Sequence, residues 1–170
     1  IAVDKFAYKN IVSIQSLRIQ GQLPSSETTP TQLTAKIDHL RNGKREIENA
    51  TVQLSGTRKA HLLKVDSKNR QSNFYLQLAC GFNPKNDWYG QLQQSNFKSR
   101  RINLVQNQNA AIIYTAAKSE LYIGQHCWQS AHSQLFLDQA AQIAQAQGHF
   151  SVITKGLDLN DFAAFMPEGL

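Results

Sequence analysis

A chain of 170 residues, 41% hydrophobic and 9% aromatic, is long enough for one domain with a real core. Only 18% of the residues are charged, and apolar runs such as Ala110 to Tyr114 and Leu135 to Leu137 fall far short of the roughly 20 residues a membrane helix requires. Lys and Arg exceed Asp and Glu by a net +6, and long Gln, Asn and Ser stretches suit strands with neutral polar outer faces better than charge-driven disorder.

The chain opens at Ile1 with no basic start followed by an apolar stretch, and its single Met is Met166. It therefore reads as a piece of a longer protein, with any targeting signal outside it. The basic residues Lys44-Arg45, Arg58-Lys59, Lys98 and Arg100-Arg101 are scattered and lack an aromatic platform, so no nucleic-acid partner is expected. Cys80 and Cys127 permit one disulfide without demanding it.

In chain order, the Pro- and Ser/Thr-containing stretch Gly21 to Pro30 predicts a loop that divides two initial strands from the rest. Period-two alternation follows in Thr51 to Leu54 and His61 to Val65. It is strongest in Asn73 to Phe82, which puts Phe74, Leu76, Leu78, Cys80 and Phe82 on one face. The same pattern recurs at Trp88 to Leu92, Arg101 to Leu104 and Leu121 to Ile123. Turn chemistry separates these runs at Asn42-Gly43, Ser55-Gly56-Thr57, Ser67-Lys68-Asn69, Asn83 to Asp87 and Gln106 to Asn109, the spacing of an antiparallel meander. Gln139 to Gln147, rich in Ala and Gln, predicts a helical turn or two. Asp158 or Asn160 caps an expected short helix over about 158–166 that carries Phe162 and Phe165 and ends at Pro167.

Chemistry has candidates, and each has a plainer structural reading. His126, Cys127 and His132 are zinc-type ligands, but adjacent strand residues point to opposite faces. Cys127 as a nucleophile lacks a Gly-rich turn and a third orienting group. His61 alternates with Leu63 and Val65, as a hydrogen-bonded structural histidine does. Asp66, Asp87 and Asp138 have no paired carboxylate nearby in sequence for acid–base work. Trp88 and Trp128 either line a trough or plug its ends. The expectation is a protein without catalysis, cofactor or metal.

The order of the motifs carries a resemblance. Ser55-Gly56-Thr57 with Ala60-His61-Leu62-Leu63-Lys64-Val65, then Asp87-Trp88-Tyr89-Gly90-Gln91-Leu92, then Ile123-Gly124-Gln125-His126-Cys127-Trp128, resembles the C-terminal conserved domain of the TamB family. The ending Leu159 to Leu170 resembles that family's short helix and P-x-G-L restart. Relatives often carry a second Cys shortly after H-C-W, where this chain reads Gln134-Leu135-Phe136-Leu137, which leaves Cys80 as the remaining partner for Cys127.

Membership in such a family implies one β-taco segment spanning residues 1–170: a curled antiparallel sheet with an open hydrophobic groove and a short helix near the C-terminus. It implies the periplasmic region of an inner-membrane-anchored protein in a Gram-negative bacterium, meeting an outer-membrane barrel of the TamA type. The implied role is a conduit for phospholipid acyl chains, the alternative being a module that binds nascent outer-membrane β-strands for insertion. The expected groove residues are Val52, Leu54, Leu63, Val65, Phe74, Leu76, Leu78, Trp88, Leu92, Ile102, Leu104, Leu121 and Ile123, with phospholipid or detergent as occupant. Terminal strands near Ile1 to Tyr8 and Phe150 to Leu157 would be sheet edges prone to self-association.

Overall fold

The structure is a computed structural model and describes residues 2–8, 12–22, 27–42, 45–69, 72–99, 102–144 and 147–156. Among the described residues, fifteen strands form one antiparallel sheet. The first seven are long: β1 (Ala2–Tyr8), β2 (Val12–Gln22), β3 (Thr31–Asn42), β4 (Arg45–Gly56), β5 (His61–Lys68), β6 (Ser72–Phe82) and β7 (Trp88–Ser99). Each pairs with the next in sequence, as a meander of hairpins must. The shorter ones are β8 (Asn103–Gln106), β9 (Ala110–Thr115), β10 (Glu120–Ile123), β11 (His126–Gln129), β12 (Gln134–Leu137), β13 (Ala141–Ala144), β14 (Gln147–His149) and β15 (Val152–Lys155).

Beyond β7 the meander continues with each run broken in two. β8 and β9 lie end to end along β7, one pairing with Asn96–Lys98 and the other with Trp88–Leu92. β11 and β12 extend the β8 branch, which ends on β15, whereas β10, β13 and β14 extend the β9 branch. Among the described residues the outer strands β1 and β15 do not pair with each other, so the sheet is open rather than closed into a barrel.

Local chemistry places the turns. Asn83 Oδ1 accepts from the Lys85 and Asp87 backbone N–H groups at 2.8 and 3.0 Å, an Asx turn between β6 and β7. Asn69 Oδ1 accepts from the Ser72 N–H at 2.6 Å at the start of β6. Gly56, at φ +118°, ends β4 in a conformation that a side chain would strain.

Apolar positions on one face are kept in line by breaks in the alternation. On β2, β3 and β4 the apolar row Leu17, Ile37, Ala50 is three residues from the row Ile14, Leu40, Ile47. An odd step sends strictly alternating residues to opposite faces. Within that step lie the left-handed residues Ser16 at φ 58° and Asn49 at φ 50°, and register is the same on both sides of it. A bulge does the same on β7: the pairing shifts at Gln77/Leu78, so Leu92 and Ser95, three apart, are both buried, at 4% and 3% exposure.

Two sequence expectations change. Gln139 to Gln147 contains strand β13 rather than a helical turn, because pairing of Leu121 with Ile143 and of Ile123 with Ala141 outweighs the helix propensity of Ala and Gln. Gly21 and Gln22 belong to β2, paired with Leu33 and Gln32, so the expected loop 21–30 begins later. The expected helix over 158–166 lies outside the described residues, whose one helical element is a single 3-10 turn, Ala116–Lys118.

Candidate functional site: one apolar face of the sheet

Cross-strand register turns the short apolar runs into continuous rows. Leu33, Leu54, Leu63, Leu78, Leu92 and Ala110 are successive partners across β3, β4, β5, β6, β7 and β9. Beside them run Val52, Val65 and Leu76, and then Phe74, Phe97 and Leu104. On the other branch Trp88 faces Tyr114, which faces Leu121, and Gly90 faces Ile112, which faces Ile123. Every residue expected to line a groove stands on this face, with Ile102 two residues before Leu104 and 5% exposed. The rows run from strand to strand, so the apolar path crosses the strands rather than following one of them.

The face is fully buried in its middle and, toward β8, at Ile102 and Leu104. Leu78, Cys80, Leu92 and Ala110 form the core cluster, with Leu63, Leu76, Trp88, Ile112 and Trp128 packed against it. Away from that cluster the same face is half-buried at Val52, Leu54, Val65 and Ile123, and Phe74 is 39% exposed. No second layer of strands or helices covers it among the described residues.

The fork between the branches is pinned by polar groups that the apolar pattern did not reveal. Trp128 Nε1–H donates to Ser95 Oγ at 2.6 Å, and Ser95 Oγ–H donates to Gln106 Oε1 at 2.8 Å. Gln106 Nε2 donates to the carbonyls of Leu92 and Gln108 at 2.9 and 2.7 Å, filling the gap where β8 gives way to β9. His126 is 4% exposed, its ring edge-on to Trp128 at 4.2 Å, and its Nδ1–H donates to the Gly124 carbonyl at 2.8 Å. The Gly-x-His-Cys-Trp run is thus the crossover from β10 to β11, with His126 and Trp128 on the core face. The one sequence signal for Ser95 and Gln106 is the lapse of alternation after Leu92.

The other chemical candidates are separated. Trp128 packs on the core, so Cys127 projects from the opposite face, into an outer cleft of ≈ 400 Å³ that it shares with Phe136 and Ile153. Cys80 sits in the core, and both thiols are free in this structure. His61 Nδ1–H donates to the Thr57 carbonyl at 3.2 Å, near Phe82. No group of three metal-type ligands occurs among the described residues.

The geometry defines an open antiparallel sheet protein with one continuous apolar face. The chain belongs to the TamB family: the family model described as "TamB, N-terminal domain" matches residues 1–170. The match to the N-terminal domain corrects the C-terminal conserved domain implied by the ordered motifs. Membership associates the chain with the cell envelope, and no described helix is long and apolar enough to cross a membrane. No solved structure matches the chain.

Proposed function

We propose that this chain is a non-catalytic, periplasmic segment of a TamB-like protein whose apolar face is a groove that carries phospholipid acyl chains between inner and outer membranes. One observation carries the reading: the apolar rows continue from β3 to β9, and within them Val52, Leu54 and Val65 stay half-buried with no second layer over them among the described residues. Each methylene such a face removes from water contributes about 0.8 kcal/mol, so a continuous row offsets drawing acyl chains from a bilayer. Headgroups would remain in water. The full-length protein would meet a TamA-type barrel at the outer membrane.

The test compares Leu76→Asp with the outward control Gln77→Asp, by thermal melt and by phospholipid carried per chain. A groove predicts that Leu76→Asp stays folded and loses lipid while Gln77→Asp keeps it. A closed core would instead unfold on burying an unpaired carboxylate, at a cost of several kcal/mol. Folded Leu76→Asp protein carrying wild-type amounts of phospholipid would sink the assignment.

A second reading rests on the edge strand β15, where Val152 and Ile153 are 45% and 43% exposed. Such an edge accepts an added strand, from a nascent outer-membrane protein or from a second copy. Binding of β-strand peptides in the absence of bound lipid would favour it.

A further inference from the structure

Burial divides the apolar face in two. Among the described residues no side chain before Leu78 is buried, whereas Leu92, Ser95, Ile102, Leu104 and His126 beyond it are each 3% to 5% exposed. One row runs straight into this boundary. Ile19, Ala35, Val52, Val65 and Leu76 are successive cross-strand partners from β2 to β6, all of them half-buried. The next partner of Leu76, on β7, is Ser95.

The row changes chemistry at that point. Ser95 Oγ accepts the Trp128 indole N–H and donates to Gln106, and Gln106 faces Trp128 from β8 to β11. The indole also packs on the buried cluster of Leu78, Cys80, Leu92 and Ala110. Methylenes laid along the row as far as Leu76 leave water against aliphatic partners. Methylenes pushed further would displace the indole and cover a hydroxyl and an amide, breaking hydrogen bonds that no water could replace there.

The open part of the row has a definite length. From Ile19 to Leu76 is four strand spacings, about 19 Å. One leaflet of a bilayer's hydrocarbon core is about 15 Å deep, so the half-buried row has room for one acyl chain laid across the strands.

We propose that the bond between Trp128 and Ser95 is the stop of an acyl-chain site: a phospholipid acyl chain lies across β2 to β6 with its methyl end against the indole, and it passes β7 only when that bond opens. The inference rests on the conduit reading and adds a closed point to the path. Trp128 and Ser95 then decide how far lipid advances along this segment.

The 170-residue chain is equilibrated with phosphatidylcholine vesicles containing a phospholipid with a diazirine at the methyl end of one acyl chain, re-isolated, irradiated, and its labelled residues mapped by mass spectrometry. Wild type should be labelled most strongly at Leu76 and Val65, with only background at Leu104 and Leu135. Ser95→Ala and Trp128→Phe each remove the bond while leaving a ring in place. Each should raise the label at Leu104 and Leu135 by roughly five-fold, the change in an open population expected for one lost hydrogen bond. The outward control Gln77→Ala should keep the wild-type pattern. Wild type labelled evenly on both sides of Ser95 would leave the conduit reading standing and overturn the stop, and this result does not depend on how either variant folds. Folded variants that confine the label as wild type does would also overturn it. Wild type that carries no lipid overturns the conduit reading itself, and the stop with it.

Discussion

Trp128 on β11 and Ser95 on β7 are hydrogen-bonded at 2.6 Å although β8 lies between their strands. Two strand spacings in a flat sheet are about 10 Å, so the indole spans the intervening strand and the sheet curls toward it. The bond also gives the indole N–H a partner where Ser95 is only 3% exposed.

Trp128→Phe should therefore cost about 1–3 kcal/mol, combining a lost hydrogen bond with lost apolar contact. A double-mutant cycle with Ser95→Ala, read by urea denaturation, should return a coupling of roughly 0.5–1.5 kcal/mol. Strict additivity would show that the bond contributes nothing to the fork.

The two thiols should differ in reactivity. Burial pushes the Cys80 thiol above its ordinary range, only partly opposed by a backbone hydrogen bond from Leu63, whereas Cys127 lines the outer cleft. Native protein should show one fast and one slow alkylation, and Cys127→Ser should remove the fast phase.

The raised Cys80 value also sets a pH dependence. The folded state holds that proton after the unfolded chain has released it. Its contribution to stability is thus complete below the unfolded thiol's range, about 8.5, and is lost as pH rises through the folded value. Denaturation midpoints for wild type should fall more steeply than those for Cys80→Ser above that range, and parallel curves would refute the effect.

Gly81 lies where β6 meets the turn before β5. A Cβ there would collide with the Lys59 carbonyl and stand 2.9 Å from Tyr89 Oη, which itself donates to that carbonyl at 3.0 Å. Gly81→Ala should destabilise by about 1–3 kcal/mol in a thermal melt. Gly124→Ala, whose nearest contact would be 3.2 Å, should cost less.

Asn49 tests the aligned break in β2 to β4. Its φ of 50° disfavours side chains branched at Cβ, and its Nδ2 donates to the Lys68 carbonyl at 3.3 Å. Asn49→Val should cost about 1–2 kcal/mol, and Asn49→Gly distinctly less. Equal losses would assign Asn49's contribution to the side-chain bond rather than to the backbone conformation.

Alternation and turn residues by themselves determined that the chain is a meander of antiparallel strands, and placed Leu54, Leu63, Leu76 and Leu78 on one face. Side-chain direction and turn geometry are local properties, readable over a few residues. The strand at Ala141–Ala144 was hidden because its Ala and Gln residues favour a helix locally, and only pairing with β10 reverses that preference. The separation of Cys80 from Cys127, the division of the sheet after β7, and the Ser95–Gln106–Trp128 cluster were equally beyond a reading along the chain. These depend on register between residues distant in sequence, and register is set by the whole sheet rather than by any strand alone.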